Sequence, residues 1–314
     1  MARFLANRWI SLALVAALIV LPGLILPSSY YFRVGALVFI SALAVIGLNL
    51  LLGFAGQVSL GHAGFVGIGA YAVAILPARF DVPVLLAVPA GMVLSALVAF
   101  VIGRPILRLK GHFLAVATLG FGVLVAMVLA NEVGWTGGPD GMSVKRLEIF
   151  GERIRQPRDW YWISGTLLLI GMAIAQNLLA SPTGRALRAL HDSEIAARVA
   201  GVDVARIKVT VFVISAVYAS VAGSCLALLN GHVTPDAAGF LQSVEMVTMV
   251  VLGGMGSLFG SIIGAAFLVI LPQALTLFHE YEHLMLGILI ILIMIFLRDG
   301  IVPTLHRLLM ERRS

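Results

Sequence analysis

Ten apolar runs of membrane-spanning scale occupy almost the whole chain, near residues 10–27, 34–53, 58–77, 83–103, 112–131, 161–179, 207–229, 240–257, 259–278 and 283–297. A helix needs about 20 apolar residues to cross a hydrocarbon layer about 30 Å thick. Within that layer every backbone amide and carbonyl must be satisfied by the protein itself, which for runs of this length means helices. The runs predict an all-α polytopic membrane protein of about ten transmembrane helices, one transmembrane domain spanning 1–314. Of the 314 residues 61% are hydrophobic and 11% charged, against about 25% charged in a soluble domain. Too little chain remains outside the runs for a catalytic domain. The first run follows Arg3 and Arg8 as a secretory signal would, but its length and the lack of a small-residue cleavage site make it a span. The single cysteine, Cys225, lies in an apolar run and has no partner for an intrachain disulfide.

The basic residues indicate an orientation, because cytoplasmic loops of polytopic proteins carry the excess of Lys and Arg. With both termini cytoplasmic, 14 of the 21 fall inside: Arg3 and Arg8; Arg104, Arg108 and Lys110; Arg185, Arg188, Arg198, Arg206 and Lys208; Arg298, Arg307, Arg312 and Arg313. Of the other seven, five (Lys145, Arg146, Arg153, Arg155 and Arg158) share an extracytoplasmic loop at about 132–160 with Glu132, Asp140, Glu148, Glu152 and Asp159. The surplus of basic residues thus reads as loop placement, with no nucleic-acid partner. The spans at 58–77 and 240–278 are rich in glycine and barely separated, so a re-entrant or broken helix is expected in this pair. Leu52-Gly53-Phe54-Ala55-Gly56 is echoed by Leu252-Gly253-Gly254-Met255-Gly256, and Gly69-Ala70 with Leu76-Pro77 by Gly264-Ala265 with Leu271-Pro272. Transporters are often built from such repeats, with Gly- or Pro-interrupted helices lining the substrate path. Chance coincidence of Leu, Gly and Ala is the competing explanation.

Between Asn49 and Tyr71, Gln57, Ser59 and His62 sit among six glycines where hydropathy indicates membrane. Two readings fit. Either a helix break lines a water-accessible path, or tightly packed helices absorb the three side chains in hydrogen bonds. His62 has no second His or Cys at ligand spacing beside it, so no metal site is expected, and no cofactor is. Glu245 is the one acid inside a span, at its extracytoplasmic end, and Thr248 shares its helix face. An intramembrane carboxylate is a functional candidate by default; a structural hydrogen bond or ion pair is the alternative.

The connector at about 180–208 has an internal design. Thr183 is a candidate cap after Pro182. Leu187, Leu190, Ile195 and Val199 recur at helical intervals, Arg185, Arg188, Asp192 and Arg198 supply polar surface, and Gly201 offers a stop. This predicts one short amphipathic helix at the membrane surface. Glu194-Ile195-Ala196-Ala197, then three residues, then Gly201, resembles the "EAA…G" loop of ABC importer permeases, although an Ile separates the Glu from the Ala pair and no proline follows at the family's later position.

Taken in order, GQVSLGHAGF (56–65), LKGHFLAVATLGFG (109–122), TGGPDG (136–141), the connector and VLGGMGSLFG (251–260) resemble the LivM-type permease of branched-chain amino acid ABC transporters from about residue 40 to 300. The resemblance implies a bacterial inner-membrane permease that pairs with a LivH-type permease, two cytoplasmic ABC ATPase subunits and a periplasmic substrate-binding protein. It also implies that the connector, through Arg185, Arg188, Glu194, Ala196, Ala197 and Gly201, docks into the ATPases. Gln57, Ser59, His62, Glu245 and Thr248 are candidates for the substrate path. Relatives with the same motifs carry urea, amides, aromatic acids or other amino acids, so the solute stays open.

Two other classes compete. An ion-coupled secondary transporter or channel would use Glu245 and His62 without ATPases. An intramembrane hydrolase would need Ser59 and His62 to meet on one helix, and no carboxylate in the motif orients the His. The only lysines, Lys110, Lys145 and Lys208, are not preceded by Gly, so GxxxxGK[ST] is absent. The chain is read as a transport subunit and not an enzyme, with ATP hydrolysis in its partners.

Overall fold

The computed structural model describes residues 8–25, 27–149, 152–154, 156–275, 287, 300, 301 and 304. The last predicted span, 283–297, lies outside these apart from residue 287, as do Arg3, Arg298, Arg307, Arg312 and Arg313.

Twelve helices follow one another among the described residues: α1 (Arg8–Ile25), α2 (Ser29–Leu52), α3 (His62–Arg79), α4 (Val84–Ile106), α5 (His112–Asn131), the single turn α6 (Val133–Thr136), α7 (Pro157–Ala180), α8 (Pro182–Asp192), α9 (Glu194–Val199), α10 (Val204–Asn230), α11 (Phe240–Gly253) and α12 (Leu258–Leu275). The fold is all-α and polytopic. Five of the helices, α2, α4, α5, α7 and α10, are long and apolar enough to cross a membrane.

Packing divides these five into two kinds. In the most apolar stretches of α2 and α10, 78% and 72% of residues are buried, against 22% and 28% in α4 and α5. Helices α2 and α10 therefore form the centre, with α3 and α4 packed on α10 and α7 and α12 on α2. The outward faces of α4 and α5 present Leu85, Val93, Leu97, Val101, Phe113 and Val116, an apolar surface suited to lipid. The central crossing of α3 on α10 is backbone-close, since a Cβ at Gly69 would overlap the Ser220 carbonyl and one at Gly223 the Val66 carbonyl. The Ser224 hydroxyl seals it by donating to Gly69 O at 2.9 Å.

Two predicted spans need correction. Residues 58–61 of the run 58–77 are not helical, because the chain leaves the helix after Leu52 and re-enters it at His62. The run 240–257 yields only the 14-residue α11, about 21 Å long, short of the hydrocarbon thickness. Both glycine-rich regions are broken helices. The sequence echo extends to the backbone: Gly56 and Gly256 occupy positive φ, 65° and 75°, a region glycine enters without steric cost. Pro77 and Pro272 lie in the last turns of α3 and α12.

Beyond α5, Thr136–Gly141 forms a turn. Gly137 is left-handed, Gly138–Asp140 makes a 3-10 turn, and the Thr136 hydroxyl is tied to Leu129 O and Glu132 O. Strand β1 (Met142–Ser143) pairs antiparallel with a later strand, His232–Val233, which directly follows α10. Helix α7 separates this end of the bundle from the end that carries α8 and α9.

Candidate functional site

Two interruptions, Gly53–Gly61 and Gly254–Ser257, meet at the end of α2. Asn49, fully buried in the last turn of α2, stitches them together: its Nδ2 donates to Ser257 O at 2.9 Å and to Ser261 Oγ at 2.8 Å, while its Oδ1 accepts from Gly256 N at 3.0 Å. A Cβ at Gly53 would overlap both Asn49 Oδ1 and Gly256 N, so the two breaks touch backbone to backbone. The break at 254–257 is otherwise closed from within: Ser257 N donates to Gly254 O at 3.3 Å and Gly260 N to Ser257 Oγ at 3.0 Å.

The first break is held differently. The break and the helix turn after it are tied to three elements: Gln57 N donates to Leu51 O of α2 at 3.0 Å, Leu60 N to the Thr118 hydroxyl of α5 at 3.1 Å, and Ala63 N, in the first turn of α3, to the Ser243 hydroxyl of α11 at 3.0 Å. A Cβ at Gly61 would overlap the Thr118 carbonyl. Gln57, Ser59 and His62 are 3%, 1% and 0% exposed. His62 Nε2 lies 3.3 Å from the Ser215 hydroxyl of α10. Gln57 Oε1, Ser59 Oγ and His62 Nδ1 have no hydrogen-bond partner among the described residues. Buried polar atoms in native proteins are nearly always paired with protein or water, so three unpaired ones within six residues mark a place suited to water or a polar solute.

This arrangement removes the geometric basis of the hydrolase reading. Ser59 lies outside any helix, and His62 faces Ser215 instead of Ser59. It also divides the five path candidates. Glu245 is exposed while Ser243, two residues earlier on α11, is buried against the break. Thr248 spends its hydroxyl on Val244 O of its own helix at 2.8 Å. Gln57, Ser59 and His62 belong together, whereas Glu245 and Thr248 lie elsewhere. Asn49, Thr118, Ser215 and Ser243 were missed by sequence reasoning. Each is a small or uncharged polar residue within a mostly apolar helix, a signal that becomes specific only once the breaks are located.

The connector is two helices, not one. The chain kinks at Ser193, whose hydroxyl accepts from Ala196 N at 3.3 Å and caps α9. The kink reverses part of the predicted amphipathic face: Leu187 and Leu190 are buried, whereas Ile195 and Val199 are 76% and 85% exposed. The cap of α8 is Ser181, not Thr183, and its hydroxyl turns back to Leu178 O. Gly201, with φ of 82°, ends α9 as expected. Ala197 is buried and Ala196 exposed, as are Arg185 and Arg188, the latter donating to Leu179 O at 3.2 Å. Glu194 bridges the connector to α10, accepting from Arg198 at 2.9 Å and from the buried Lys208 at 3.0 Å. Burial raises the Glu194 pKa, but the hydrogen bond and charge of Lys208, with Lys110 and Arg198, outweigh it and hold the carboxyl below its ordinary value.

The connector reaches the first break. A Cβ at Gly56 would lie 3.9 Å from the Cα of His191, in the last turn of α8. Nothing but van der Waals distance separates the surface helix from the loop that carries Gln57 and Ser59.

The family described as the branched-chain amino acid transport system / permease component matches residues 30–294. The LivM high-affinity branched-chain amino acid transport permease of Salmonella typhimurium is 37% identical over 82% of this chain and 66% of its own length. The LivH permease of the same organism is 28% identical over 83% of this chain and 90% of its own. The fructose import permease FrcC of Rhizobium meliloti is 25% identical over 68% of this chain and 62% of its own. No solved structure gives a significant match. The chain thus spans just under two thirds of the length of the LivM relatives it matches.

Proposed function

This chain belongs to the family of branched-chain amino acid transport permease components and is of the LivM type, and from that premise we propose that it is a membrane-spanning subunit of an ATP-driven importer for branched-chain or related amino acids. In this reading it pairs with a LivH-type permease, two cytoplasmic ABC ATPases and a periplasmic binding protein. Both termini and the α8–α9 connector face the cytoplasm of a bacterial inner membrane, and the loop at about 132–160 faces outward.

The observation that carries the proposal is the contact of α8 with a break at which Gln57 Oε1, Ser59 Oγ and His62 Nδ1 have no partner among the described residues. Gln57, Ser59 and His62 supply acceptors and donors to a solute in transit. Glu245, exposed on an apolar helix, faces the second permease with Thr248 behind it. Ile195 and Val199 are the outward knobs that enter an ATPase groove, as an amphipathic helix enters a groove by its i, i+4 side chains. Glu194, Ala197 and Gly201 hold that face rigid, Ala196 lies against the partner, and Arg185 and Arg188 flank it. Movement of the ATPases is then passed through His191 to the backbone at Gly56.

The test is reconstitution of the whole importer in liposomes with Ile195→Asp and Val199→Asp. ATP hydrolysis that persists while uptake of a branched-chain amino acid falls at least about tenfold, or loss of the ATPases from the complex, supports the reading. Wild-type uptake in both variants overturns the coupling assignment, and ion-driven uptake by this chain alone overturns the importer. An Ala197→Glu variant, with its charge forced into a buried position, is expected to uncouple while the protein stays inserted.

A further inference from the structure

We propose that the groove between the end of α4 and the start of α10 is a binding site for an anionic phospholipid. The groove, of about 750 Å³, is lined by Arg104, Arg108 and Arg206 at its rim and by Phe100, Val209 and Val213 along its wall. The three arginines are exposed, and among the described residues none forms an ion pair with a carboxylate. The single acid in the lining, Asp203, is engaged in capping α10, accepting from Arg206 N at 3.1 Å. The rim therefore carries a net positive charge, three arginines against one aspartate, with Arg206 in the first turn of a 27-residue helix, where the helix dipole favours an anion.

The distribution of polarity selects the ligand. Arg104 lies over the ring of Phe100, 4.3 Å from its centroid, so a guanidinium stands directly on top of the apolar wall. Below it the wall continues into the outward face of α4, where Leu97 and Val101 are 57% and 66% exposed. A charged head over a strip of hydrocarbon that opens sideways into the lipid layer matches one phospholipid molecule. Its phosphate accepts bidentate hydrogen bonds from the arginines and one acyl chain lies along Phe100 and Val213. A soluble protein docking from the aqueous side would leave that lateral apolar wall unused. Arg104 and Arg206 belong to helices that are themselves of membrane-crossing length, which sets the rim at the headgroup level.

The full chain, purified in mild detergent, is titrated with phosphatidylglycerol, with phosphatidylcholine and with inorganic phosphate, and bound lipid is counted by native mass spectrometry. Phosphatidylglycerol is expected to be retained over phosphatidylcholine and not displaced by phosphate. Each of Arg104→Gln, Arg108→Gln and Arg206→Gln should weaken it roughly fivefold, and the three together about a hundredfold. Arg158→Gln, an equal charge change in the first turn of α7, at the other end of that helix from the connector, should leave binding unchanged. The single variants carry the test if the triple variant fails to insert. Equal retention of both lipids, full displacement by phosphate, or wild-type retention in the three single variants overturns the proposal. So does loss of ATPases from the assembled complex in these variants with lipid binding unchanged.

Discussion

The two helix breaks begin from nearly the same five-residue motif and end in different chemistry. At Gly254–Ser257 the polar groups are closed by Asn49 and by Ser257 within the segment. At Gly53–Gly61 the backbone is pinned by neighbouring helices, but Gln57 Oε1, Ser59 Oγ and His62 Nδ1 have no hydrogen-bond partner among the described residues. The second break is closed by protein groups, whereas the first keeps buried polar atoms without a partner among the described residues. Two stretches that echo each other in sequence thus differ in how their polar groups are closed, and Asn49, which reaches across 207 positions of sequence to Gly256, belongs to the closure of the second.

The contrast can be broken by overfilling its tightest point. Gly61→Val drives a side chain into the Thr118 carbonyl, where backbone cannot yield, and should cost about 3 kcal/mol or more, the upper end of what overpacking costs. In a detergent melt it is expected to abolish the cooperative transition; a wild-type melting temperature would show that the loop is not pinned to α5. Next in size is Asn49→Ala, which strips the second break of its donors and acceptor and should cost about 2–3 kcal/mol, read as a lowered melting temperature with a correspondingly weakened complex. Should Asn49→Ala be as stable as wild type while Ser59→Ala is not, the assignment of closed and open break is reversed.

Glu194→Gln removes the charge that partners buried Lys208 and should cost about 1–2 kcal/mol. The same pair sets a pH dependence. Because the folded carboxyl titrates below its ordinary value, its contribution is present above the unfolded pKa of about 4.3 and is lost as pH falls through the lower, folded value. Acid should therefore destabilise wild type more than Glu194→Gln, measured as the difference between their melts from pH 6 down to about pH 3. The smallest stability change, within about 0.5 kcal/mol, is expected for Ser59→Ala, because deleting an unpaired buried hydroxyl leaves no group newly unsatisfied. Its uptake in the reconstituted importer should nevertheless fall several-fold, and unimpaired uptake would remove Ser59 from the path.

Hydropathy located α1, α2, α4, α5, α7 and α10 well because a bilayer-crossing helix is specified locally, by about 20 successive apolar side chains. It misplaced the start of α3 because Val58, Leu60 and the glycines keep the window apolar while the backbone departs from helix. It also merged α8 and α9, since the period of Leu187, Leu190, Ile195 and Val199 continues across Ser193 although the serine hydroxyl takes the amide that would have continued the helix. The candidate residues of the break were legible as polar side chains in an apolar setting; their unequal surroundings were not. Glu245 and Gln57 look alike on that criterion, yet one is exposed and the other enclosed.

The sequence by itself determined that this is a helical membrane protein with two glycine-rich regions where a broken helix is to be expected, because the lipid environment leaves an apolar run of spanning length few other states. Only the tertiary structure decided which interruption is closed and which is open. It also decided that the connector touches the open one and that three arginines from two separated segments share a groove. Those outcomes depend on hydrogen bonds and contacts between residues far apart in the chain, whose partners local sequence does not specify.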